Sequence, residues 1–141
     1  MLARLRQAGV ASNVAVLDPV ERTRLVGLYG DADVCVIPSL WENFSYACLE
    51  AQSCAVPVVA AAVGGLVEMI DHGRDGTLVP SNDPARLAEG ILELLAHPER
   101  GRAMGEAARA KVLRNYGVPR VVRQTLAVYT EAIAGRQACP R

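Results

Sequence analysis

The chain has 141 residues, 51% of them apolar, and balances 15 Lys and Arg against 15 Asp and Glu. That length and composition suit one globular domain burying roughly 70% of the surface its unfolded form exposes. A net charge of zero gives no basic field of the kind that nucleic acid or an anionic membrane would demand, so neither is expected as a partner.

The N-terminus lacks a signal-like apolar core, and the longest apolar stretch, 55–67, is interrupted by Pro57, Gly64 and Gly65, so a cytoplasmic protein with no transmembrane segment is expected. Cys35, Cys48, Cys54 and Cys139 show no CxxC spacing and read as reduced thiols, three of them in apolar runs.

In chain order, 2–7 reads as the tail of a helix ended by Gly9, and 13–17 as a short strand stopped at Asp18-Pro19. Apolar positions among charged ones predict a helix over 20–29, ended near Gly30. Segments 33–37 and 57–60 are nearly continuous apolar runs, as parallel strands covered on both faces must be. Between them 44–54 has helical length, and 76–79 predicts a fourth strand. Helices follow at 85–96, 98–115 and 119–134, each with a proline near its start, where the missing N–H costs nothing. The segment 135–141 is expected to be a disordered tail. Strands alternating with helices predict an α/β fold with a Rossmann-like parallel sheet.

In such a sheet, ligands bind outside the carboxyl ends of the strands, so the loops at Asp18, Ser39–Asn43, 61–65 and 80–83 should share one rim. Ser39-Leu-Trp-Glu42 has capping-box spacing before a helix whose positive end favours phosphate or sugar oxygens. Glu42 and Glu50, on one continuous helix, would lie about 80° apart; a shared target therefore needs Glu42 in the loop. Spacing alone leaves open that Glu42 completes a cap and that Glu50 is a solvated helix residue. It also leaves Gly64-Gly65 as a tight turn rather than a binding loop. Trp41 and Phe44 could wall a pocket or pack in a core. Glu68 suits a helix N-terminus, and His72 and His97 fall in surface loops.

Glu42-x7-Glu50 between Pro38-Ser39 and Ala51, followed by Val56-Pro-Val-Val59, Val63-Gly-Gly-Leu-Val-Glu68 and Asp71-His-Gly-Arg-Asp-Gly-Thr-Leu-Val79, resembles the family-4 retaining glycosyltransferases. The resemblance covers nearly the whole chain. It implies the C-terminal half of a GT-B fold lacking its first two strands, with residues 1–134 a partial sugar-donor-binding domain. It also implies a missing N-terminal, acceptor-binding domain as partner.

By the same resemblance Glu42 takes the catalytic position against the donor sugar and Glu50 holds the ribose. The Asn43, Phe44 and Ser45 backbone, with Ser39, Gly64 and Gly65, faces sugar and phosphate, and Leu17 and Asp18 lie near the base. The substrate would be a UDP-, GDP- or ADP-sugar, used without metal or other cofactor. The family's diphosphate-binding Arg and Lys lie upstream of the residues present, and the chain's sole lysine, Lys111, is in a C-terminal helix. The family usually has Gly at three positions where this chain has Asn43, Ser45 and Ala55.

Overall fold

The computed structural model describes residues 2–137. Its helices are α1 (Leu2–Gln7), α2 (Arg22–Gly30), α3 (Tyr46–Ser53), α4 (Leu66–Met69), α5 (Pro84–Ala96), α6 (Pro98–Asn115) and α7 (Val118–Gln137). The strands are β1 (Cys35–Ile37), β2 (Val58–Ala61) and β3 (Thr77–Val79). They form one parallel sheet in the order β1-β2-β3, with Val36 opposite Val59 and Ala60 opposite Leu78.

The central strand explains the layering. All four residues of β2 are buried, and because successive side chains point to opposite faces, they build two cores. Val58 and Ala60 join Ile37, Cys48, Ala51, Leu66, Met69 and Ile70 on the face covered by α3 and α4. Val59 joins Val79, Leu94 and Met104 on the face covered by α5 and α6. Burying each valine contributes about 1.5–3 kcal/mol. Asp83 caps α5 by accepting the Arg86 N–H at 3.0 Å, and Pro84 and Pro98 occupy first-turn positions.

The expected strand at 13–17 does not form. Ala11–Asn13 is a single 3-10 turn, and Val14, Val16 and Leu17 beyond it are exposed. An apolar alternating segment becomes a strand only when a neighbour takes its backbone groups, and among the described residues none pairs with it. The outer edge of β1 is likewise open. The helix start expected at Glu68 is the short α4, with Glu68 in its first turn. At the C-terminal end α7 continues to Gln137, and 138–141 with Cys139 lie outside the described residues. The apolar side chains of α7, among them Val121, Leu126, Tyr129 and Ile133, are exposed. No helix among the described residues is long and apolar enough to cross a membrane.

Candidate functional site

Because all three strands run parallel, their carboxyl ends deliver loops 38–45, 62–65 and 80–83 to one rim, as the sequence leads one to expect. The first two loops are in direct backbone contact. Gly65 N–H donates to the Glu42 carbonyl at 3.1 Å. A Cβ on Gly64 would lie 1.8 Å from that same oxygen, and one on Gly65 would lie 2.0 Å from the Asn43 carbonyl oxygen. Gly64 also has φ +46, a region that side chains other than glycine's enter at a cost. The paired glycines are thus a seat for the 42–43 backbone, a stronger constraint than the tight turn that spacing alone suggests.

The chain leaves this seat before it becomes helical: the first residue of α3 is Tyr46, two residues later than expected. The cap is Ser45, whose Oγ accepts the Cys48 N–H at 3.3 Å; the expected capping box from Ser39 is not what begins the helix. Ser45 has φ −88, and Asn43 is not among the residues with positive φ, so neither replacement of the family's glycine strains the backbone. Ala55 does: its φ is +59.

Over the seat lies a cleft of about 430 Å³ bounded by Trp41, Glu42, Asn43 and Phe44 on one side and by Gly64, Gly65, Glu68 and Met69 on the other. Tyr116, the residue after α6, closes its end, its ring 6.0 Å from that of Phe44 in an edge-to-face pair. Trp41 is 78% exposed and Phe44 44%, so both wall the cleft and neither belongs to the core. Glu68 serves twice, in the first turn of α4 and on the cleft wall.

Glu42 is in the loop, as a shared target with Glu50 requires. Glu50, however, does not line the same cleft. It lies on α3 in a neighbouring hollow of about 120 Å³ against α2, with Tyr29 Oη 3.5 Å from its Oε2. Burial, then the charges of Cys35 and Glu50, push the Tyr29 phenol up to about 12. Ser39 is half-buried, Leu17 and Asp18 are exposed on the unpaired segment, and none of the three lines the cleft. His72 accepts the Leu78 N–H at Nδ1, 3.0 Å away, and His97 sits between α5 and α6; both have structural positions.

Sequence reasoning missed Tyr116 and Met69. Tyr116 lies just beyond the helix expected over 98–115; its being the sole aromatic residue between Tyr46 and Tyr129 is the available signal. The described residues contain no group of three or more His, Cys, Asp or Glu able to hold a metal ion.

The model of the family described as glycosyl transferases group 1 matches residues 2–111. The chain is 40% identical over 133 residues to D-inositol 3-phosphate glycosyltransferase 2 of Catenulispora acidiphila, covering 94% of this chain and 31% of that protein. A D-inositol 3-phosphate glycosyltransferase of Xylanimonas cellulosilytica is 40% identical over 136 residues, covering 96% and 32%.

Among solved structures, sucrose-phosphate synthase from Thermosynechococcus elongatus superposes with a TM-score of 0.90 at 30% identity, covering 94% of this chain and 33% of that one. Anabaena HepE in complex with UDP superposes at 0.86 with 24% identity, covering 92% and 35%. The C-terminal domain of a group 1 glycosyl transferase from Francisella tularensis superposes at 0.75 with 20% identity, covering 82% and 60%. The three-stranded α/β unit therefore has the fold of the C-terminal half of a GT-B protein, and the chain spans about a third of the length of the curated relatives it matches. With its family model spanning residues 2–111, the chain belongs to the glycosyl transferases group 1 family.

Proposed function

We propose that this chain is the sugar-donor half of a retaining glycosyltransferase that moves a hexose from a nucleoside diphosphate sugar to an acceptor held by a partner domain. The observation that carries the reading is the cleft in which the Glu42 loop rests on Gly64 and Gly65 beside the start of α3. In this reading the Glu42 carboxylate accepts hydrogen bonds from sugar hydroxyls. The diphosphate lies over the Tyr46 and Ala47 amides, which point from the positive end of α3. Glu50 is about 6 Å further along the helix axis from Tyr46, within a nucleotide's span, and takes the ribose diol.

Charge limits what the chain does alone. The charged side chains of the cleft, Glu42 and Glu68, are both acidic, so helix amides are the favourable groups the cleft presents to a diphosphate. Cations from another part of the enzyme are needed to stabilise the departing nucleotide in the transition state. We therefore expect the chain to bind nucleotide with a dissociation constant of roughly 1 mM, about −4 kcal/mol, and to transfer sugar only with its partner domain. The relatives named for D-inositol 3-phosphate make that compound the acceptor to assay first.

A second reading, a binding unit that packs on a partner without transferring sugar, draws on the open edge of β1 and the exposed apolar face of α7. NMR titration with UDP, GDP, ADP and UDP-glucose tests the first reading. Shifts clustering at Glu42 to Ala47 and lost in Glu50→Ala are expected. Absence of shifts there at 10 mM nucleotide would refute it. Turnover of a nucleotide sugar once the partner domain is supplied would dispose of the second.

A further inference from the structure

Behind the cleft lies a polar cluster to which the proposed chemistry assigns no part. Asp75, only 2% exposed, receives three elements at once. Its Oδ1 accepts the Asp71 N–H at 2.7 Å, its Oδ2 lies 3.1 Å from Lys111 Nζ on α6, and its carbonyl accepts from Gln52 Nε2 on α3 at 3.3 Å. Lys111 is itself 8% exposed and also reaches Asp71 Oδ2 at 3.0 Å.

Both ends of this cluster lead to the cleft. Asp71 follows two residues after Met69, the end of α4 and part of one wall. Five residues after Lys111, at about 1.5 Å of rise each, comes Tyr116, which closes the end of the cleft against Phe44. Residues 70–76 form a loop held to the core by buried Ile70 and closed on itself by the His72 to Gly76 bridge, and the Lys111 ion pairs tie that loop to α6. Nearer its middle α6 is held differently: a Cβ on Gly105 would lie 1.9 Å from the Ala55 carbonyl oxygen. Met104, Ala108 and Val112 bury the apolar side of α6, and Lys111 adds a charged link to the 70–76 loop about one turn before Tyr116.

We infer that Lys111 is a positioning residue of the proposed sugar-donor site, fixing the α4 wall and the Tyr116 wall at their mutual distance through Asp71 and Asp75. The inference rests on the donor-site reading for its function, but the geometry it claims exists without ligand. A buried ion pair is a poor source of net stability compared with an apolar pair of the same shape, whereas parting it leaves a buried charge uncompensated, which favours the one arrangement that keeps the charges together. Burial alone would pull the ammonium's proton affinity down; the two carboxylates reverse this and hold Lys111 above its usual range. The same lysine holds Asp71 below its own. Both groups are charged across the neutral range and the clamp is closed there.

Removing Lys111 alone leaves Asp75 buried without its cation and endangers the fold, so the test is the double variant Lys111→Met/Asp75→Asn, with Lys111→Arg as the conservative comparison. Amide hydrogen exchange is followed at Gly65, Glu68 and Met69 on one wall, at Tyr116 on the other, and at Val59 and Ala60 in β2. All six are in unliganded protein. The double variant should exchange about tenfold faster at both walls with β2 unchanged, as a local opening does, while Lys111→Arg keeps the original rates. Wall rates equal to the parent's, or acceleration shared equally by β2, would overturn the inference. A nucleotide titration of the same samples separates the two proposals. If the walls loosen as expected and the parent chain binds no nucleotide, the clamp stands and the donor-site reading falls.

Discussion

Gly65→Ala isolates the contact on which the cleft is built. Gly65 has φ −63 and ψ −17, ordinary right-handed backbone in which alanine is unstrained, so any effect comes from the added methyl group itself. That carbon would lie 2.0 Å from the Asn43 carbonyl oxygen and 3.0 Å from its carbon, against an ordinary carbon–oxygen contact of about 3.3 Å. A separation of roughly 1.3 Å must be recovered. The α4 side cannot give, because Leu66 and Met69 are buried in the core; the 41–44 loop, with Trp41 and Phe44 exposed, can. Its retreat breaks the 3.1 Å bond from Gly65 N–H to the Glu42 carbonyl, worth about 1 kcal/mol. Residual overpacking adds about 1–3 kcal/mol. Urea unfolding followed by circular dichroism should therefore show a loss of about 2–4 kcal/mol. Under the proposed function, and with the partner domain present, displacement of Glu42 by about 1 Å should lower sugar transfer on the order of 100-fold. An alanine variant that unfolds at the parent's midpoint and shows unaltered nucleotide shifts at Glu42 and Asn43 would refute the reasoning.

Three further outcomes follow from individual residues. Ala55 sits at φ +59, which costs an alanine about 1–2 kcal/mol, while glycine loses about 0.4–1 kcal/mol through the freer unfolded chain. Ala55→Gly should thus raise stability by about 0.5–1 kcal/mol, seen as a higher urea midpoint at unchanged slope. Tyr29, with its phenol pushed up to about 12 by burial and then by the charges of Cys35 and Glu50, should ionise near that value by ultraviolet absorbance. Its folded value is raised, so its contribution is complete below pH 10 and lost as pH rises from 10 through 12; a phenol titrating near 10 in the folded chain would contradict the packing of α2 on α3. Cys48 is fully buried, and burial first, then the nearby Cys35, pushes its thiol up to about 12. At pH 8 an aromatic disulfide reagent should modify it only at the rate of unfolding, read by peptide mass mapping.

The sequence carried the architecture wherever a local pattern and its tertiary partner agreed. The run 57–60 became the buried centre of the sheet, and 98–115 became α6 with the bounds its proline and composition suggest. It misled at 13–17, where alternation was right for a strand but pairing is not a local property. At the site the residue types at Glu42, Glu50 and Gly64-Gly65 were legible; their arrangement was not. The Glu42 carbonyl is held by a residue 23 positions away, Gly65, a contact no window of helical periodicity contains, and α3 starts only at Tyr46 behind the Ser45 cap.

Lys111 shows the same limit from the opposite side. As the sole lysine, on a helix rich in arginine and alanine, it reads as a solvated charge. Its actual surroundings are set by Asp75, which is itself drawn inward by the Asp71 amide and Gln52. Each of those residues has an ordinary surface pattern of its own, yet Lys111, Asp75 and Gln52 are buried together with Asp71 at the exposed end of the cluster. A charge whose two carboxylate partners lie 36 and 40 residues away along the chain is invisible until the chain is folded. It is also the kind of contact that fixes where two helices stand relative to one another, because no single partner can satisfy it elsewhere.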